Sequence, residues 1–96
     1  MRKLSLKKSR WTGNKWPSVD IDPYEFDDFL KVVTQLCNTF SVAIPHVIDI
    51  LDGYATDLVI ENSPTKVLMD NWTFSVAAEK EDVRDKIYIA LESISI

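Results

Sequence analysis

Apolar residues recur at helical spacing in a long stretch that starts near Asp22. Asp22 can cap a helix, Pro23 suits the first helical position, and Glu25 stands where a capping box needs an acid. A helix is therefore predicted from there to about Phe40, with one apolar face against a core. That face consists of Phe26, Phe29, Leu30, Val33, Leu36, Cys37 and Phe40.

A second helix is predicted near the end of the chain, from about Glu81 to Ser93. Acidic residues at its start suit the positive end of the helix dipole. A continuous apolar stripe should pack this helix on the same core as the first. The stripe consists of Val83, Ile87, Ala90, Leu91 and Ile94.

The segment between the helices predicts a three-stranded antiparallel meander. β-branched residues mark the first strand, at Asp57 to Glu61, and Asn62-Ser63-Pro64 breaks it. The next two strands, Lys66 to Met69 and Trp72 to Ala77, are joined by Asp70-Asn71, whose residue types tolerate the positive φ of a tight hairpin.

The short loop at Asp70-Asn71 sets the expected register of this hairpin. Met69 would face Trp72 directly across the loop, and Val67 would face Phe74 on the same buried side. The predicted core joins this side of the sheet to both helical stripes. Its main members are Phe26, Phe29, Leu30, Val33, Phe40, Trp72, Phe74, Val83, Ile87 and Leu91.

The first residues of the chain predict a hairpin. Arg2 to Trp11 alternates weakly, and Gly13-Asn14 could close a turn that sets Trp11 opposite Trp16. Pro17 would then cut the second strand short, because proline has no N–H to donate to a ladder.

Residues 44–53 allow two interpretations. Pro45 could open a short helix that Gly53 ends, whereas the run from Val47 to Leu51 could also form a strand; the helix is favoured. The whole pattern then predicts an α+β fold, a two-layer sandwich in which helices pack on one face of an antiparallel sheet.

Charge divides the chain into a basic leader and an acidic body. Residues 1–16 carry six Lys or Arg and no acid, whereas residues 17–96 carry five Lys or Arg and all fifteen acids, so +6 and −10 sum to the formal −4. A length of 96 residues suits one domain over 1–96, with the leader at 1–19 and the acidic body at 20–96. A lone Cys37 and the lack of a long apolar run predict a cytoplasmic protein with no membrane segment.

Catalytic, metal and cofactor sites all lack residues that they need. Cys37 lies on an apolar helical stripe and His46 has no identifiable orienting partner, so both are interpreted as structural. One histidine and one cysteine cannot build a zinc site, and the acids from Asp20 to Asp28 lack the glycine and glutamate of a calcium loop. Two glycines offer no phosphate cradle. We therefore expect a protein that is not an enzyme and uses no metal or cofactor.

Two surfaces could bind a partner. The leader interleaves Lys, Arg and Trp across Arg2–Trp16, which would suit nucleic acid, although a charged edge strand with packed tryptophans explains the same residues. The acidic body is preferred, because carboxylates beside tyrosine anchors suit a basic protein partner. The predicted contact residues are Asp20, Asp22, Tyr24, Asp27, Asp28, Asp49, Asp52, Tyr54 and Asp57.

The C-terminal part of the chain resembles one group of proteins. Asp70 to Val76 (DNWTFSV) and Glu81 to Ile87 (EDVRDKI) are similar to the final strand and helix of small acidic immunity proteins, which neutralise bacterial contact-dependent or polymorphic toxins. The resemblance implies a cytoplasmic bacterial protein that binds one toxin domain, often a nuclease, and blocks it. A phage-encoded inhibitor that mimics nucleic acid and a nucleic-acid-binding regulator that uses the leader are the alternatives.

Overall fold

A six-stranded antiparallel sheet and two helices form the protein, in a computed structural model that describes residues 4–94. The elements are β1 (Ser5–Arg10), β2 (Pro17–Asp22), α1 (Asp28–Phe40), β3 (Ile48–Ile50), β4 (Gly53–Ile60), β5 (Ser63–Met69), β6 (Phe74–Ala78) and α2 (Glu81–Glu92). Across the sheet the strand order is β1-β2-β6-β5-β4-β3. Both helices pack on one face, so the predicted α+β sandwich is confirmed.

The core lies between the sheet and the helices. Side chains alternate along each strand, and the row Val19, Val76 and Val67 crosses the three central strands on the helix-facing side. The apolar stripe predicted for α2 is confirmed, because Val83, Ile87, Ala90 and Leu91 are buried and Ile94 is partly buried. The largest fully buried side chains include Phe29, Phe74, Leu36, Ile60 and Met69.

The start of α1 differs from its prediction. Asp22 does not cap a helix; it is the last residue of β2, where it pairs with Ser5. The helix begins at Asp28, whose side-chain Oδ2 accepts a hydrogen bond of 2.8 Å from the N–H of Glu25. Strand pairing therefore outweighs the capping signal, and the segment before Asp28 becomes a turn.

This shift changes which aromatic and aliphatic residues are buried. Phe26 now lies in the turn, and Leu30 lies on the solvent side of α1, so both predicted core positions are wrong. Val32, which the prediction omitted, is fully buried instead, while Phe40 is only partly buried. The helix ends at Phe40, and the next residue, Ser41, has a φ of 55°, which lies in the left-handed region.

The hairpin between β5 and β6 has a longer loop than predicted. Met69 pairs with Phe74, and the loop runs from Asp70 to Thr73. The Oδ1 atom of Asp70 accepts hydrogen bonds from the N–H groups of Trp72 (2.8 Å) and Thr73 (2.7 Å), which closes the turn. Trp72 therefore lies outside the core, and its predicted burial is wrong.

The segment around Gly53 forms strands and no helix. Ile48 pairs with Ala55 and Ile50 with Gly53, so the favoured short helix is wrong and the meander has a fourth strand. A side chain at Gly53 would have no room, because an added Cβ would lie 1.9 Å from the carbonyl oxygen of Met69. This close backbone approach explains why glycine stands at the start of β4.

The leader forms a hairpin that is an integral part of the sheet. The backbone N–H of Trp11 donates to the carbonyl of Trp16 at 2.9 Å, which confirms their predicted pairing. Pro17 does not shorten the second strand, because it is the first residue of β2. Neither helix of the described residues is long and apolar enough to cross a membrane.

Candidate functional site

Several chain turns meet at one end of the sheet. Antiparallel pairing brings them together, because β2 and β5 end there while β4 and β6 begin there. Large apolar side chains remain in solvent at this end: Phe26 is 47% exposed, Leu30 59%, Leu51 99% and Trp72 79%. We call these four residues the apolar end.

Phe26 is held by a chain of aromatic rings that leads into the core. Its ring packs edge-on against Tyr54, with centroids 6.2 Å apart, and Tyr54 packs against Phe29 at 5.5 Å. Phe29 lies 6.3 Å from Phe74, which in turn lies 5.6 Å from Tyr24. Since Phe29 and Phe74 are buried, they support the exposed ring of Phe26 in a defined position. A pre-positioned aromatic ring loses little entropy when a partner covers it.

A groove separates the start of α1 from the β3–β4 hairpin. Its volume is about 550 Å³. The residues that line it are Phe26, Asp27, Phe29, Leu30, Lys31, Val47, Asp49 and Tyr54. Most of the lining residues are thus apolar or aromatic, and the remaining three are charged.

Two shallower depressions adjoin Phe26 on its other sides. One, of about 330 Å³, runs along the hairpin past Asp49, Ile50 and Leu51. The other, of about 510 Å³, extends past Tyr24 to Trp72. Phe26 lines both depressions as well as the groove, so it is the centre of the whole surface.

Carboxylates dominate the charge around the apolar end. Those that line the groove and the two depressions are Asp22, Glu25, Asp27, Asp49 and Asp70. Among the described residues that line these three sites, Lys31 is the one cation. Such a surface attracts positively charged partners and speeds their association.

Tyr24 supports this surface from below. Its hydroxyl donates a hydrogen bond of 2.9 Å to the carbonyl oxygen of Asp70, at the base of the loop that carries Trp72. Burial raises the pKa of Tyr24 above its ordinary 10.0, and the negative charges of Asp70 and Asp22 raise it further. The hydroxyl therefore keeps its proton at neutral pH and positions the loop.

The predicted contact residues fall into two groups. Asp22, Tyr24, Asp27, Asp49 and Tyr54 line the groove or the depressions, and Asp52 lies in the hairpin turn between Leu51 and Gly53. The structure brings these residues together at the apolar end.

Three predicted contact residues lie elsewhere. Asp28 is buried at the start of α1, where it accepts the hydrogen bond from Glu25. Asp57 lies on the opposite sheet face with Lys66, at 3.6 Å between Oδ1 and Nζ. Asp20 also lies on that face, where its Oδ1 accepts a hydrogen bond of 3.1 Å from the Ser75 hydroxyl.

The tryptophans of the leader pack on the sheet face that has no helix within residues 4–94. The indole N–H of Trp11 donates to the Ser75 hydroxyl at 2.9 Å, and both Trp11 and Trp16 are half-buried. The cations of β1 alternate between faces, and Lys8 and Arg10 point to α2. Lys8 lies 3.2 Å from Asp85, and Arg10 lies 3.1 Å from Glu81. These two cations are therefore paired within the chain; residues 1–3, part of the predicted nucleic-acid segment, lie outside the described residues.

Cys37 and His46 line neither the groove nor the two depressions. Cys37 is buried in α1, and burial raises the pKa of its thiol above the ordinary value. His46 is exposed in the connection before β3, and its carbonyl oxygen accepts a hydrogen bond of 2.8 Å from the Thr56 hydroxyl.

The apolar members of this surface were missed at the level of sequence. Phe26, Leu30 and Trp72 fit the predicted apolar faces and were therefore expected in the core. Leu51 lay within the predicted short helix. A detectable signal was the position of Leu51 beside Asp52-Gly53, a dipeptide typical of hairpin turns. A leucine in a hairpin turn lies beyond the paired strands and is therefore exposed.

Comparison of the chain with protein-family models, with curated proteins and with solved structures finds no match.

Proposed function

We propose that this protein is a non-enzymatic binding protein that holds a basic protein partner at its apolar end. The observation that carries the proposal is the exposure of four large apolar side chains at one end of the sheet, among carboxylates that line the same surface. Clustered exposed apolar residues with a polar rim are typical of protein interaction sites.

The apolar and acidic residues have different tasks in this proposal. Phe26, Leu51 and Trp72 supply binding energy when a partner removes them from water, because large aromatic and aliphatic side chains dominate interface energetics. Asp27 and Asp49 steer the approach of a basic surface and reject acidic ones. A polyanion such as nucleic acid is repelled from this end of the molecule.

The biological role that we propose is that of an immunity protein, which neutralises a bacterial toxin domain by covering its basic surface. The resemblance of the last strand and helix to small acidic immunity proteins supports this role, as does an apolar binding surface set in acidic surroundings. The partner is a toxin domain with a basic cleft, a class that includes nucleases, and the site of action is the cytoplasm of the producing bacterium.

A capture experiment with matched variants tests the proposal. The full chain is immobilised as wild type, as the double variant Leu51→Ser with Trp72→Ser, and as the control Val59→Ser. Val59 is 60% exposed on β4 and lines neither the groove nor the depressions, so the control removes exposed apolar surface elsewhere. Wild type and control should retain the same basic protein from the source lysate, and the double variant should lose it.

The captured protein then decides the biological role. Expressed alone it should be toxic to a bacterial host, and co-expression with wild type should restore growth while the double variant should not. A captured protein that is acidic, or binding that survives in the double variant and does not weaken with added salt, contradicts the proposed surface. Retention of nucleic acid alone would favour a regulator that binds through the leader.

A further inference from the structure

The groove between α1 and the β3–β4 hairpin combines aromatic rings with carboxylates. Phe26 and Tyr54 supply accessible rings, Tyr54 packs against the buried Phe29, and Asp27 and Asp49 supply negative charge. The ring of Phe26 is held at a steep angle of 81° to Tyr54, so the two rings offer surfaces of different orientation. An occupant of this groove meets flat apolar surface and anionic oxygen at once.

A guanidinium group fits such surroundings better than an ammonium group does. It is planar and weakly hydrated, it stacks on aromatic faces, and it donates paired hydrogen bonds to a carboxylate. A lysine ammonium is compact and strongly hydrated, so it gains less from the aromatic walls. The aliphatic part of an arginine side chain would lie against Leu30 and Val47, which also line the groove.

We infer that this groove receives an arginine side chain of the basic protein partner. The inference rests on the proposed function, because it names the chemistry by which part of the same surface recognises that partner. Charge complementarity between guanidinium and the carboxylates of Asp27 and Asp49 selects arginine over a neutral side chain. The aromatic walls select arginine over lysine.

Lys31 places one positive charge beside the two carboxylates of the groove. This exposed residue lines the groove, and its charge opposes the entry of any cation. It lies four residues after Asp27, the N-cap of α1, so it also weakens the field of that carboxylate. Its removal should therefore strengthen arginine binding, whereas an apolar occupant would respond little to the charge.

Binding of small probes to the full chain tests the inference without knowledge of the partner. The probes are the capped amino acids N-acetyl-arginine, N-acetyl-lysine and N-acetyl-citrulline, each as its N-methylamide. Binding is measured from the change in NMR chemical shift of the Phe26 and Tyr54 rings as each probe is added. Citrulline keeps the shape of arginine and lacks its charge. We expect the arginine probe to bind about twofold to fivefold more tightly than the citrulline probe, the range given by cation–π attraction at an exposed site.

Charge variants sharpen the result. Asp49→Asn should weaken binding of the arginine probe about twofold to fivefold, and Lys31→Gln should strengthen it by about the same factor, as expected for exposed charges. Asp57→Asn is the control, since Asp57 lies on the opposite sheet face with Lys66, and it should leave probe binding unchanged.

The outcomes separate this inference from the proposed function. Equal binding of the arginine and citrulline probes, or no effect of Asp49→Asn and Lys31→Gln, would overturn the arginine site. If a basic protein is nevertheless captured through Leu51 and Trp72, the proposed function stands and the groove has another occupant. Loss of arginine-probe binding in Asp57→Asn as well would show that the probe responds to net charge, which also overturns the inference.

Discussion

The apolar end and the contact between the leader and α2 use charge in opposite ways. Along α2, cations of β1 meet acids of the helix: Lys8 pairs with Asp85, and Arg10 pairs with Glu81. At the apolar end, carboxylates line the surface and Lys31 is the one cation among the described lining residues. Where β1 and α2 carry opposite charges, the charges form ion pairs within the fold. Where carboxylates predominate, the surface is left with a negative charge that the proposed basic partner would neutralise.

Apolar residues follow the same division. Phe26 and Phe29 lie three residues apart in the sequence, yet Phe29 is 1% exposed and Phe26 is 47% exposed. The rings of both contact Tyr54, so burial in the core and exposure at the surface are linked by direct packing. Folding uses Phe29, and the proposed binding uses Phe26.

The largest expected effect separates these two phenylalanines. Phe29→Ala should destabilise the protein by about 3 to 5 kcal/mol, because it leaves a cavity in a small core. Phe26→Ala removes a half-exposed ring and should cost at most about 1 kcal/mol. Urea unfolding of both variants checks the pair, and a Phe29→Ala protein as stable as wild type would mean that the core is not organised around this ring.

The next effect concerns Arg84, which joins α2 to the leader. This residue is 8% exposed, and its Nη1 donates hydrogen bonds to the carbonyls of Ser9 (3.0 Å) and Ser18 (3.2 Å). Arg84→Met should cost about 2 to 4 kcal/mol, since it removes the donor from both carbonyls. The neighbouring Lys86→Met is the control: Lys86 is exposed on α2 and pairs with Glu61, and loss of this surface ion pair should cost at most about 1 kcal/mol in urea unfolding. A stable Arg84→Met protein would show that packing alone holds the leader.

A smaller effect is expected at Gly53, at the base of the proposed binding surface. Gly53→Ala places a methyl group against the carbonyl of Met69 and should cost about 1 to 3 kcal/mol as β4 shifts away from β5. Capture of the partner should weaken at the same time, because the shift moves Leu51 and Tyr54. Gly13→Ala is the matched control, since an added Cβ there meets no atom within 4 Å. Partner capture by Gly53→Ala at the wild-type level would mean that the hairpin does not form the contact.

The smallest effect is a pH dependence confined to the leader side. Hydrogen bonds from Arg84 and Lys8 hold the pKa of Asp85 below its ordinary 3.8. A lowered pKa in the folded state gives stability that is present above pH 3.8 and is lost as the pH falls through the folded value. Asp85→Asn should therefore flatten the acid limb of a plot of urea midpoint against pH. Asp82→Asn on the same helix is the control, and an acid limb altered equally by both variants would contradict a specific role for Asp85.

Local signals were sufficient for some elements and insufficient for others. The stripe of α2 needed only its own spacing, because each of its positions faces one large core. The start of α1 also depended on Ser5, a residue far away in sequence that pairs with Asp22 and keeps it in a strand. A capping signal contributes about 1 kcal/mol, which strand pairing and burial can exceed.

The grouping of residues at the candidate site depended on long-range contacts of the same kind. The carboxylates were identifiable from composition, yet their grouping was not: Asp49 and Asp27 line one groove, while Asp57 and Asp20 lie on the other face of the sheet. The apolar residues of the site were harder to identify. A hydrophobic pattern indicates which residues favour burial, but it does not indicate which of them remain exposed to solvent in the fold.

The sequence by itself determined the class of fold, the inward face of β5 and β6, the α2 stripe and the acidic character of the body. Each depends on periodicity or charge within a short window. Only the folded structure revealed the register of the last hairpin, in which Val67 faces Val76 in place of Phe74, and with it the exposure of Trp72. A register shift by two residues keeps every side chain on its own face of a strand, so the hydrophobic pattern cannot distinguish the two alignments; the carboxylate of Asp70, which closes the longer loop, does.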